Sequence, residues 1–98
     1  MKHLPPLKSL QVFLCAAQSN SFKAAAEQLF VTQAAVSQQV RLLEQHLGCR
    51  LFERQSKHTR LSDKGELLLP YIEQAFEQIS SGIHALAFEP SANSLKIT

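Results

Sequence analysis

Six side chains between residues 33 and 45 have the types and spacing for molecular recognition: Gln33, Ala34, Ser37, Gln38, Arg41 and Gln45. On a helix the last five share one face, opposite Val36, Val40, Leu43 and Leu47, and Gln33 stands at the exposed start. The chemistry suits the grooves of DNA. A glutamine amide pairs bidentately with adenine, serine donates or accepts at several base edges, alanine meets a thymine methyl, and arginine reaches guanine or phosphate. A helix beginning near Thr32 also turns free N–H groups and positive dipole toward an anion. The same row equally describes a solvated, glutamine-rich face, so its surroundings have to discriminate.

Charge is the first discriminator. The 98 residues carry a formal net charge of only +2. Residues 1–61, however, hold eight Lys and Arg against three Glu, a net +5, whereas residues 62–98 hold two Lys against five acidic residues, a net −3. A basic front joined to an acidic tail points to nucleic acid at the front alone, with chance clustering as the competing account.

Other chemistries find little support. Cys15 and Cys49 lie 34 positions apart without a CxxC, and His3, His46, His58 and His84 are scattered, which is not metal-ligand spacing. No paired carboxylates, no nucleophile with a local base and no phosphate-cradling glycines are visible, which argues against an enzyme. Lys8, Ser9 and Gln11 interrupt the apolar start that a signal peptide would need, and no apolar run approaches the ~20 residues that span a bilayer. Free thiols and no membrane partner fit the cytoplasm.

The elements that must position the row can be read from periodicity. Pro5-Pro6 can open a first helix with a stripe of Leu7, Leu10, Phe13, Leu14 and Ala17, stopped at Asn20-Ser21. Ser21 is a good cap for a short second helix with Phe22, Ala25, Ala26 and Leu29 inward, ending near Phe30. Thr32 caps a third, whose inward face is Val36, Val40, Leu43 and Leu47, closed by Gly48. Ala26 and Ala35 permit the close, steep crossing of a helix-turn-helix, with Val31 expected to plug its corner.

Two short strands around a polar turn are expected over 50–54 and 59–61. Asp63 with Glu66 resembles a capping box for a long fourth helix, about 39 Å from Asp63 to Phe88 at ~1.5 Å per residue. Leu69, Ile72, Phe76, Ile79, Ile83 and Leu86 recur at spacings of three and four, a seam suited either to a second copy or to packing back on the same domain. Pro70 is expected to bend this helix or to delay its regular part to about Leu69. A polar linker over 89–94 then precedes an alternating 95–98, the expected beginning of another domain.

The run SFKAAAEQLFVTQAAVS and the motifs LGxxLFxR and L-S/T-x-x-G, present in residues 21–65, closely resemble the N-terminal domain of LysR-type bacterial transcriptional regulators, and the likeness extends over essentially residues 4–98. The stretches LPPL, TQAAVSQQV and LLPYIEQAF are most similar to the branch containing the glycine-cleavage activator and the β-lactamase regulators. The resemblance implies a mainly α fold: a winged helix-turn-helix with three-helix core and two-stranded wing over 1–62, a linker and dimerisation helix over 63–88, and a hinge into an effector-binding domain over 89–98.

By the same likeness, the DNA contacts fall on Ser21, Lys23, Thr32, Gln33, Ala34, Ser37, Gln38, Arg41, Arg54, Lys57 and Arg60, with helix 32–47 in the major groove and wing 50–61 on the backbone or minor groove. Two residues depart from the pattern. Phe30 stands where many helix-turn-helix proteins have Gly, and Gln38 where many members carry Arg or His, which favours A·T pairs. The implied partners are a pseudo-palindromic duplex and a second copy, with a tetramer possible for a full-length protein. No cofactor is implied in these residues, a small-molecule effector belonging to the further domain. A winged-helix module that binds protein instead of DNA is the alternative from another functional class.

Overall fold

The computed structural model describes residues 4–53 and 59–88. Along these run α1 (Leu7–Ser19), α2 (Phe22–Leu29), α3 (Gln33–Leu47), β1 (Phe52–Glu53), β2 (Arg60–Leu61) and α4 (Asp63–Phe88). The polar turn expected over 55–58, the linker over 89–94 and the alternating segment after it lie outside the described residues.

α1 starts after Pro6 and stops at Asn20, which takes the left-handed conformation at φ 55°. Its buried face is Ser9, Leu10, Val12, Phe13, Ala16 and Ala17, which keeps Leu10, Phe13 and Ala17 of the stripe read in the sequence, with Leu14 half-buried against the core and Leu7 61% exposed. Ser9 joins this face because its buried hydroxyl donates to Gln39 Oε1 at 2.8 Å and so is satisfied against α3. Small Ala16 and Ala25, both fully buried, let α1 and α2 approach.

Phe13, Phe22 and Phe52 join α1, α2 and β1 edge to face, with ring centroids 5.7 Å apart for Phe13–Phe52 and 5.2 Å for Phe22–Phe52. Val36, Val40 and Leu43 of α3 complete the centre, each 0–1% exposed. Leu47, expected on that face, is 39% exposed instead. Glu44 takes the inward position one turn earlier, and a single oxygen, Oε2, accepts from the N–H of Leu51 at 2.8 Å and of Phe52 at 3.2 Å. A buried carboxylate thus ties the end of α3 to β1. Gly48 closes α3 at φ 76°, as its place in the sequence predicts.

The wing is antiparallel, with Phe52 opposite Leu61 and Glu53 opposite Arg60, and among the described residues of the anticipated runs Arg50, Leu51 and Thr59 lie outside the ladder. Ser62, not Asp63, caps α4. Its Oγ accepts from Gly65 N–H at 3.0 Å and donates to the Arg50 carbonyl at 2.6 Å, and its own N–H goes to the Leu51 carbonyl at 2.8 Å. A Cβ at Gly65 would collide with that Leu51 carbonyl and the Leu61 side chain, so only glycine admits this close approach.

α4 runs unbroken through Pro70, so the regular helix is not delayed. The proline is exposed, and its lost N–H costs one bond on the solvent side. The expected seam divides. Ile72 is 8% exposed and belongs to the core, with Leu68, Leu69 and Phe76 packed against it, so Ile72 faces its own domain rather than a second copy. Ile79, Ile83 and Leu86 are 48%, 64% and 66% exposed.

Candidate nucleic-acid interface

The surface of interest is built from the turn between α2 and α3 outward. Ser21 caps α2 by accepting from the Ala24 N–H at 3.0 Å, leaving its hydroxyl hydrogen to donate to a further partner, and Lys23 stands exposed in the first turn. α2 ends at Phe30 in the left-handed conformation, where the N–H groups of Phe30 and Val31 return to the carbonyls of Glu27 and Ala26 at 3.4 and 3.0 Å. The chain then needs only Val31 and Thr32 before α3 begins. Val31 does not plug the corner. It is 38% exposed, at the rim of a groove shared with Leu29, Ala35 and Gln39, because the return bond of its N–H carries its side chain outward.

Thr32 Oγ1 accepts from the Ala35 N–H at 3.0 Å, which fixes the first turn of α3 while Thr32 itself stays exposed. Gln33, Ala34, Gln38, Arg41 and Gln45 are all exposed, and Ser37 is half-buried among them. Arg41 Nη2 donates to Ser37 Oγ at 3.1 Å, so the guanidinium is held along the helix, one turn from the hydroxyl. The row drawn from the sequence therefore exists as one face, opposite fully buried Val36 and Val40.

Beyond α3 the picture is mixed. Arg60 is exposed on β2, directly across the ladder from the exposed carboxylate of Glu53, which offsets part of its charge. Arg54 and Lys57 lie outside the described residues. Two participants escaped the sequence reading. Arg50 is exposed and lines a cleft with Arg41, Gln45, Gly48 and Cys49 at the end of α3, adding a cation beside the row. Glu44 was legible in principle, since a carboxylate falling on an apolar stripe requires donors.

Other chemistry stays weak here. Cys15 and Cys49 are free; burial pushes the Cys15 thiol up, and its S–H donates to Gln28 Oε1 at 2.9 Å, so the neutral form is favoured. Among the described residues no group of three His, Cys, Asp or Glu could hold a metal ion, and no helix is long and apolar enough to cross a membrane.

Comparison with known proteins agrees with this geometry. The family described as bacterial regulatory helix-turn-helix protein, lysR family, matches residues 7–66. The glycine cleavage system transcriptional activator of Escherichia coli (strain K12) is 40% identical over 97 residues, covering 99% of this chain and 32% of the relative. The HTH-type transcriptional activator AmpR of Providencia stuartii is 49% identical over 80 residues, covering 82% of this chain and 27% of the relative. The chain thus spans about a third of the length of such relatives. Among solved structures, the BenM DNA-binding domain in complex with benA site 1 DNA superposes with a TM-score of 0.82 at 25% identity, covering 89% of this chain and 98% of that one.

Proposed function

Because the chain belongs to the LysR family of bacterial regulatory helix-turn-helix proteins, we propose that it is the sequence-specific, duplex-DNA-binding part of a transcriptional regulator and has no enzymatic role. α3 enters the major groove with Thr32, Gln33, Ala34, Ser37, Gln38 and Arg41 toward the bases and phosphates. Ser21 and Lys23 at the start of α2 hold the backbone, and Arg54, Lys57 and Arg60 of the wing meet the backbone or minor groove. The observation that carries this reading is the two-faced α3, with Val36 and Val40 fully buried and amides, a methyl and a guanidinium exposed opposite them.

The unit divides into the winged helix-turn-helix over 1–62, the linker and dimerisation helix over 63–88, and a hinge over 89–98 toward a domain that takes a small-molecule effector. One module of this size buries too little for tight specific binding. Two copies paired through the exposed end of α4 present two α3 helices to a pseudo-palindromic site. A tetramer of the full-length protein and a cytoplasmic location belong to the same reading.

The test is a mobility-shift titration on a mixed-sequence duplex at two salt concentrations, followed by selection of bound sequences from a random pool. Retarded duplex, an affinity that falls steeply with salt and an enriched motif with two-fold symmetry are the expected results. No binding at low salt would leave the chain as a protein-interaction module.

A further inference from the structure

Phe30 is the residue whose cost the fold does not recover internally. Its backbone sits at φ 58° and ψ 43°, a conformation glycine adopts freely and an aromatic residue resists, and its ring is 94% exposed, more than any other large apolar side chain described. Strain without burial calls for a use outside the monomer. Its surroundings narrow that use. Glu27, Gln28, Thr32 and Gln33 near it in the chain are exposed and polar, and the half-covered Val31 is the one apolar neighbour exposed in sequence beside it. A lone ring among polar groups fits a small apolar target rather than the broad hydrophobic groove of a protein partner.

We propose that Phe30 is a DNA-contacting residue whose ring packs on the deoxyribose of the backbone strand bordering the groove that α3 enters. The proposal rests on the DNA-binding reading above. Phe30 lies two residues ahead of the capping Thr32, so when the first turn of α3 reaches the base edges, this ring stands at the rim of the groove rather than its floor. Sugar walls the rim and presents carbon and hydrogen. Such a contact is indifferent to sequence and, being uncharged, displaces no counterions. It adds affinity and register without adding to the salt dependence.

The experiment compares the chain with Phe30→Gly and Phe30→Tyr in titrations of a mixed-sequence duplex at four salt concentrations, with thermal unfolding alongside. Glycine suits the backbone at this position, so Phe30→Gly unfolds at the same or a higher temperature. It binds roughly three- to tenfold more weakly at every salt concentration, with the slope of log affinity against log salt unchanged. Phe30→Tyr, which keeps the ring, binds as the parent does. Equal affinity of Phe30→Gly and the parent overturns the role of Phe30 while leaving DNA binding intact, as does a changed salt slope. Failure of the parent itself to bind overturns both.

Discussion

Gln33 and Ser37 differ in how free their polar groups are for the base contacts proposed above. Gln33 is exposed just inside the cap that Thr32 provides, whereas Ser37 already accepts a hydrogen bond from Arg41. Gln33→Ala should therefore remove about 1–3 kcal/mol from binding to a selected site and relax preference at one position, while Lys23→Ala should weaken binding nearly equally on all duplexes and lower the salt slope by about one. Titration of selected and scrambled duplexes separates the two, and identical behaviour of both variants would refute base reading by α3. Glu44 acts on the same site from behind. Since one oxygen accepts both the Leu51 and Phe52 N–H groups, Glu44→Gln can present its amide oxygen there and retain stability, whereas Glu44→Ala strands two buried donors and should cost about 1–3 kcal/mol or more in urea unfolding. Periodicity disclosed the exposed row because it alternates with Val36 and Val40. It did not disclose what Glu44 holds, because the donors belong to backbone seven and eight positions further on.

At the level of elements, caps and helix faces were the most legible features. Ser21, Thr32 and Gly48 act through groups one turn away, and local chemistry suffices to place them. The partner of an apolar stripe is another matter. Leu69, Ile72, Phe76, Ile79, Ile83 and Leu86 form one unbroken pattern in the sequence, yet α1 covers its first half and nothing within the described chain covers its second. Val31 and Leu47 were misplaced for a related reason: each lies at an element's edge, where periodicity continues but the neighbouring surface does not. The division of α4 makes two substitutions of the same chemistry behave differently. Ile79→Asp should leave the fold intact and lower the mass seen by light scattering toward that of a monomer. Ile72→Asp should unfold the domain, because an unpaired carboxylate in the core costs several kcal/mol. An unchanged mass for Ile79→Asp would remove α4 from the pairing role.

For the whole molecule, the separation of charge along the chain has a spatial counterpart. Lys23, Arg41, Arg50 and Arg60 are exposed on and around the helix-turn-helix, and Glu73 and Glu77 sit exposed on α4, so on the proposed DNA-binding reading repulsion would keep a duplex off the long helix. The same α4 carries Ile72 in the core and the half-exposed Ile79 about two turns further along one continuous rod, without a hinge between them. Angular phase is then inherited from one end to the other. A single residue inserted between Phe76 and Ile79 would swing the outer apolar edge by about 100° relative to the anchored end. On the proposed pairing, two partners clasped by that edge would aim their reading heads along different bearings, and the distance and twist between half-sites would then depend on the count of residues along this shaft as much as on any side chain touching DNA.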